Sequence, residues 1–294
     1  MKLQAILITA YKDYENLTRL VDYFNEGFEV YIHIDRKTTI YDIEIAKLQE
    51  KENVKLVEKK YKVNWGGLNH LKAVLYLCHE ALKNKNIFYF HLISGQDFPV
   101  KGANDFYEFF HENFNKQYLD YFHIPRLGWS LYGGLDRVEY YYFLDHLNQK
   151  NASHKLWIDK IVSIQRKLKL KRKFSKKHPK LYGGSLWWSM NRNCLSYIMD
   201  FTRENKRFLN RFKYTFCPEE FYFQTIIMNS SFTESVVNEN LRYMDWNWRN
   251  GNNPAVLDGS DYDKIVSSNA FFARKFDPVI SGNLLEKLIK NILA

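Results

Sequence analysis

Residues 88–93 read Phe-Tyr-Phe-His-Leu-Ile and are closed by Ser94-Gly95. A run that is apolar or aromatic almost throughout, stopped by a turn pair, describes a strand covered on both faces, as strands of parallel α/β sheets are. Working back from it, residues 69–82 carry Leu71, Val74, Leu75, Leu77, Cys78 and Leu82 at helical spacing, and residues 54–57 predict a strand before that helix. Residues 5–9 (AILIT) and 30–34 (VYIHI) predict two more strands, with an amphipathic helix over 14–24 between them. This alternation predicts an α/β chain: a doubly wound, mixed but mainly parallel sheet flanked by helices, binding its ligands beyond the carboxyl ends of the strands.

Composition narrows the function classes. The 294 residues include 43 Lys+Arg against 33 Asp+Glu, a formal charge of +10, with 46% hydrophobic and 17% aromatic residues. Such a chain is folded and can bury a sizeable core. Its surplus of cations predicts an anionic partner, which could be nucleic acid, a membrane surface or a phosphorylated small molecule. The densest charge is the run RKLKLKRKFSKKHPK from Arg166 to Lys180, with nine Lys or Arg and no acid. It reads either as a solvated face or as a contact for an anionic membrane surface or phosphate-bearing acceptor. No nucleic-acid reading motif stands beside it, so nucleic acid is not expected as a partner. Three cysteines, Cys78, Cys194 and Cys217, are odd in number and far apart, which suggests neither a disulfide framework nor a zinc site. No window approaches 18 apolar residues and the N-terminus lacks a secretion signal, so a cytoplasmic placement is expected, at most peripheral at the inner face of the membrane.

The polar residues just past the strands are the first functional candidates: Asp35, Arg36 and Lys37 after 30–34, and Ser94 to Asp97 after 88–93. Trp65-Gly66-Gly67 precedes the 69–82 helix, where the glycine pair reads equally as a plain turn, and Asp35 reads equally as a helix cap. In Cys217-Pro218-Glu219-Glu220 the proline suits a first helical turn and both carboxylates suit the positive end of a helix. Consecutive helical residues point about 100° apart, so one of the two faces a pocket, and the residues alone do not say which. Trp187 and Trp188 follow a Gly-Gly-Ser turn and could stack on a sugar or pack in the core. Asp245 binds acceptor or ties a loop. The last residues, 283–294, pair leucines and isoleucines at helical spacing, which predicts a docking helix, with a membrane-surface helix as the alternative.

Six pieces, in order, resemble one family: YIHIDRK with Asp35, VNWGG with Trp65, LISGQDFPVKG with Asp97, GGSLWWSMNR with Ser185, CPEEFYFQT with Glu220, and FFARKFD with Arg274 and Lys275. The chain is similar to the core-2/I-branching glycosyltransferases, the β-1,6-N-acetylglucosaminyltransferases that share glycosyltransferase family 14 with the peptide O-xylosyltransferases. The pieces span nearly the whole chain. The resemblance implies a GT-A fold, an inverting transfer from a UDP-sugar, and no divalent metal or other cofactor. It maps the catalytic base onto Glu220 and the pair that holds the diphosphate onto Arg274 and Lys275. Animal members carry a membrane anchor and disulfides, so this chain is expected to be a soluble bacterial catalytic core.

Most GT-A enzymes hold a metal through Asp-x-Asp just after the buried central strand, and here Ser94-Gly95-Gln96-Asp97 offers one carboxylate, a poor anchor for Mg²⁺ or Mn²⁺. Adjacent Arg274 and Lys275 supply fixed cations instead. Asp261-Tyr262-Asp263 is an Asp-x-Asp, but it falls in a polar stretch late in the chain. The expectation is a single catalytic domain over 1–294, with a nucleotide-binding half to about 115 and an acceptor half from about 116. Thr9, Tyr11, Asp35, Arg36, Trp65, Gly66 and Asp97 are assigned to the nucleoside and donor, and Ser185, Trp187, Glu219 and Asp245 to the sugar and acceptor. Arg242 and Arg249 are further candidates for the diphosphate. The expected reaction moves N-acetylglucosamine, or alternatively xylose, from UDP to a hydroxyl of a glycan or lipid-linked glycan in bacterial surface polysaccharide synthesis. A protein that binds glycan or nucleotide sugar without catalysis is the rival class.

Overall fold

The computed structural model describes residues 2–174 and 178–293. Its twelve strands are β1 (Leu3–Ala10), β2 (Phe28–Ile34), β3 (Val54–Glu58), β4 (Ile87–Ser94), β5 (Asp97–Pro99), β6 (Gln117–Leu119), β7 (Phe122–His123), β8 (Tyr182–Gly183), β9 (Trp188–Asn191), β10 (Val236–Val237), β11 (Arg242–Met244) and β12 (Phe272–Arg274). Seven of them form the main sheet in the order β10-β6-β9-β4-β1-β2-β3. β1 pairs in parallel with β2 and β4, and β9 runs antiparallel to both β4 and β6. The sheet is mixed and mainly parallel, as its sequence predicts.

Alternation along β1 shows why helices cover both faces. Ala5 and Leu7 pack with the helices Leu68–Leu82, Arg192–Glu204 and Glu219–Ile227. Ile6 and Ile8 pack with Tyr14–Tyr23, Asp42–Gln49 and Ala103–Glu112. Side chains of a strand point alternately to opposite faces, so two apolar rows require two helical layers. The chain builds outward from β1 through β2 to β3, then returns to lay β4 on β1's other side. The carboxyl ends of β1 and β4 therefore form a switch point, the place where open α/β sheets carry ligands.

A second sheet, β11-β12-β5, sits beside that switch point. β5 begins three residues after β4 ends, and its antiparallel register sets Asp97 opposite Arg274 on β12. A separate apolar cluster backs this sheet: Phe98, Val100, Leu257, Ile265, Ala273 and Phe276, closed by Leu284, Leu285 and Leu288 of the helix Gly282–Leu293. The predicted docking helix is thus the floor beneath the strand that bears Arg274. Among the described residues no helix is long and apolar enough to cross a membrane.

Candidate active site

Two segments far apart in sequence build the acidic side of the crevice. Gly66 has φ +80°, and a Cβ there would lie 2.7 Å from the Phe216 ring. Gly67 starts the helix Leu68–Leu82, and a Cβ there would lie 2.5 Å from Oδ1 of Asp145, the atom that accepts the Asn69 N–H at 2.9 Å. The glycine pair is thus needed for close approach. The Gly66 carbonyl accepts the Cys217 N–H at 2.9 Å, which fixes the start of the helix Glu219–Ile227 against the turn. Trp65 stays half exposed, its ring edge-on to Phe216.

The two glutamates at that helix start diverge as helical geometry requires. Glu219 is buried, its Oε1 3.2 Å from His70 Nδ1, while Oε2 has no hydrogen-bond partner. His70 Nε2 in turn lies 3.4 Å from the Thr9 hydroxyl at the end of β1. The Glu220 side chain is 30% exposed and accepts from Arg137 Nη2 at 2.8 Å. Arg137 is itself buried, its guanidinium 4.3 Å from the Trp129 ring centroid. Burial raises the Glu220 carboxyl above its ordinary value, and Arg137 pulls the other way. A carboxylate that is reachable from solvent yet held in one direction suits proton abstraction, whereas Glu219 serves as an internal strut to β1.

The basic side is built on the second sheet. Arg274 is buried, with Cζ 4.0 Å from the Trp187 ring centroid and Nε 3.3 Å from Asp97 Oδ1. That contact is off the hydrogen-bond line, so Nε and Nη1 are left without partners. Buried guanidinium donors left unpaired are costly unless an anion completes them. Lys275 follows, its pKa pushed down to about 8 by burial and then by Arg274 and Lys150. Lys150 lies 5.2 Å from the centroid of the Tyr11 ring, and Lys12 5.9 Å from the same centroid. Burial, Lys12 and Lys37 depress Lys150 as well. The Tyr11 hydroxyl donates to Gln96 at 3.0 Å, and the Gln96 carbonyl accepts the Phe276 N–H at 2.9 Å. These links gather Tyr11, Asp97, Arg274 and Lys275 at one strand end. Lys12, Lys150, His70 and Arg137 join them, although no sequence pattern marks them.

Several expected residues also hold the local fold. Asp35 accepts from the backbone N–H of Lys37 and of Val63, each at 3.0 Å, so its carboxylate caps a loop, and Arg36 beside it is exposed. Trp187 is 8% exposed and its face carries Arg274, and Trp188 is fully buried, so core packing, one of the two readings open for this pair, holds for Trp188. Ser185 accepts from Asn240 at 2.9 Å and borders Asp120, whose carboxyl burial raises. Asp120 and Asn240 line a cleft of about 340 Å³ with Asn238, Met244, Trp246 and Asn269. Asp245 accepts from the Asn247 N–H at 3.0 Å and pairs with Arg249 at 3.2 Å, so it ties a loop.

Neither further arginine is free for a diphosphate. Arg242 is buried beneath the sheet, donating to the carbonyls of Leu92 at 3.0 Å and Trp188 at 3.3 Å, because bare backbone acceptors there need a donor. Arg249 is clasped by Asp245, Asp258 and Asp261. Asp261 is thereby engaged, and among the described residues no three His, Cys, Asp or Glu converge as a metal site. The clasped loop lies behind the cations, since the Leu257 N–H donates to the Lys275 carbonyl at 2.9 Å. In the basic run, Lys171 pairs with Glu139 at 2.6 Å and Arg172 donates to the Lys213 carbonyl at 2.7 Å, so part of it is structural. Its residues 175–177 lie outside the described residues.

The sequence pattern of the Core-2/I-Branching enzyme family matches residues 5–266. Among curated relatives, "Xylosyltransferase oxt" of Drosophila pseudoobscura pseudoobscura is 23% identical over 281 residues, 88% of this chain and 29% of its own length. "Xylosyltransferase 2" of Homo sapiens is 24% identical over 286 residues, 90% of this chain and 30% of its own. The chain therefore spans about 30% of the length of these relatives. Among solved structures, S. aureus TarS 1-349 in complex with UDP aligns over 40% of this chain and 34% of its own at 20% identity, with a TM-score of 0.31, too slight a likeness to carry an argument. The family match extends from β1 past the acidic and Asp97 sides of the crevice to Val266, just short of the Arg274 strand, and the chain belongs to the Core-2/I-Branching enzyme family.

Proposed function

We propose that residues 1–294 form one glycosyltransferase domain that moves a sugar from UDP to a glycan hydroxyl with inversion and without a divalent metal. What supports this reading is that an oriented carboxylate, whose neighbour Glu219 is linked through His70 to the end of β1, and a set of cations gathered around Tyr11 just past that end stand by the same β1/β4 switch point. Glu220, held by Arg137, takes the acceptor hydroxyl proton as that oxygen attacks the anomeric carbon. The bond from that carbon to the diphosphate breaks, and the electron pair leaves with UDP. Charge developing on the phosphates is met by Arg274 and Lys275, with Lys150 beside them and Lys12, which also pairs with Asp277 at 3.4 Å, nearby. Asp97 supports Arg274 in this scheme and is already engaged by it. Thr9, Tyr11 and Trp65 border the nucleoside, and the cleft beside Ser185 and Asp120 receives the acceptor.

N-acetylglucosamine is the donor sugar we assign from the family as a whole. Xylose is the second reading, favoured by the names of the curated relatives. The acceptor is a glycan, free or on a lipid carrier, of the kind used in bacterial surface polysaccharide synthesis at the inner face of the membrane. The test compares wild type and Glu220→Gln with UDP-N-acetylglucosamine and UDP-xylose in EDTA. Turnover persists in EDTA for wild type and falls about 10²- to 10⁴-fold in the variant, while UDP affinity is kept. Activity lost in EDTA and restored by Mn²⁺ overturns metal independence, and an unchanged rate in Glu220→Gln removes the base assignment.

A further inference from the structure

The helix Ala152–Lys167 is seated by Ile158, Val162 and Gln165, its buried residues. At 3.6 residues per turn, Leu156, Trp157, Lys160, Ile164, Lys167 and Leu168 fall in one sector about 120° wide on the opposite side. Leu156 is 72% exposed and Trp157 57%. Ile164 and Leu168 are exposed as well, and Leu170 just past the helix continues the patch. A helix that meets only water carries its charged residues at this outermost position. Here the outward face sets Leu156, Trp157, Ile164 and Leu168 beside Lys160 and Lys167, with Lys155, Arg166 and Lys169 flanking it. Lys160 Nζ lies 5.3 Å from the Trp157 ring centroid, and Asp159, the helix's one acid, is held by Lys155 at 2.6 Å.

We infer that this helix face docks on the surface of an anionic lipid bilayer, with Leu156, Trp157, Ile164 and Leu168 entering the headgroup boundary and the lysines meeting lipid phosphates. An indole with exposed aliphatic neighbours and a cationic rim is the composition of an interfacial helix. Charge decides between occupants. A second copy of the chain brings the same cations to the same face and is repelled, whereas an anionic leaflet attracts them. The contact differs from the basic run read as a block, because Lys171 and Arg172 are committed to internal partners. Asn151 caps the helix one residue after the Lys150 that stands by Tyr11, so docking holds the start of the helix, next to a cation of the crevice, near the membrane. That bearing on a lipid-linked acceptor rests on the glycosyltransferase reading; the docking does not.

Sedimentation of the full chain with phosphatidylcholine vesicles, with and without phosphatidylglycerol, tests the inference in the absence of any sugar nucleotide. Wild type pellets with the anionic vesicles and remains in the supernatant with neutral ones. Leu156→Ser/Trp157→Ser lowers the partition coefficient about tenfold or more, with an unchanged thermal melt and unchanged turnover of a water-soluble acceptor. Equal pelleting with both vesicle types, or a double variant that pellets as wild type does, overturns the proposal. A concentration-dependent dimer in sedimentation velocity that the double variant abolishes also overturns it, by assigning the face to a second copy.

Discussion

Lys275 sits in surroundings that oppose its own charge. Burial is the main cause, followed by Arg274 and Lys150, and together they bring its pKa from an ordinary 10.5 to about 8. The folded chain therefore binds fewer protons than the unfolded one between those values, so this group's penalty on stability is complete below about pH 8 and is relieved as the pH rises towards 10.5. A diphosphate supplies the missing counter-charge and restores the proton, so UDP binds about tenfold more tightly at pH 7 than at pH 9. Titration calorimetry across that interval shows the slope, and Lys275→Met flattens it; a pH-independent affinity in wild type would remove Lys275 from the diphosphate site. Legibility at this scale follows covalent neighbourhood. Arg274 and Lys275 are adjacent and readable as a pair, while Lys150 reaches Tyr11 across more than a hundred residues of chain. Glu219 and Glu220 are equivalent in the sequence, and the partners that separate them, His70 and Arg137, lie on other elements.

At the scale of elements, the turn before β9 carries more constraint than its length suggests. Gly184 donates its N–H to the Glu220 carbonyl at 2.9 Å, and a Cβ at Gly184 would lie 1.9 Å from the Asp120 carbonyl oxygen. Gly184→Ala must push the turn away from β6's end and from the helix that presents Glu220, at a cost of about 1–3 kcal/mol from overpacking. Denaturant melts would register that loss, and turnover falls further than stability does if Glu220, the base we propose, moves with its helix. Ser185→Ala adds no atom and costs only the Asn240 hydrogen bond, about 1 kcal/mol, without moving the turn; a Gly184→Ala variant with both wild-type stability and turnover would contradict the geometry. The strands at 5–9, 30–34 and 88–93 are legible because each is a buried apolar run of several residues. Asp42–Gln49 escapes the sequence reading because Ile43 is exposed and blurs its apolar stripe. β5, β11 and β12 are three residues each, too short for any periodicity, although they hold Asp97 and Arg274.

Across the whole molecule, the +10 charge is divided between places with different physics. The crevice gathers Lys12, Lys150, Arg274 and Lys275, and the outer helix gathers lysines around an apolar stripe. The crevice cations depend on a part of the chain remote from them in sequence. β12 is held from below by the cluster that the helix Gly282–Leu293 completes, and Leu288 is fully buried there. Leu288→Ala removes three carbons from a closed cluster, and cavity costs of this kind run to about 2–5 kcal/mol. Because that cluster backs β5 and β12, while Phe272 of β12 and the preceding Phe271 reach a larger core on the other side, the loss falls on the Arg274 strand first. UDP affinity therefore drops together with the melting temperature in Leu288→Ala. Val279→Ala, at an exposed position three residues before the same helix, changes neither. If calorimetry finds Leu288→Ala destabilised but binding UDP at wild-type strength below its melt, the second sheet does not take its shape from the C-terminal helix, and the cations are held from the main sheet alone.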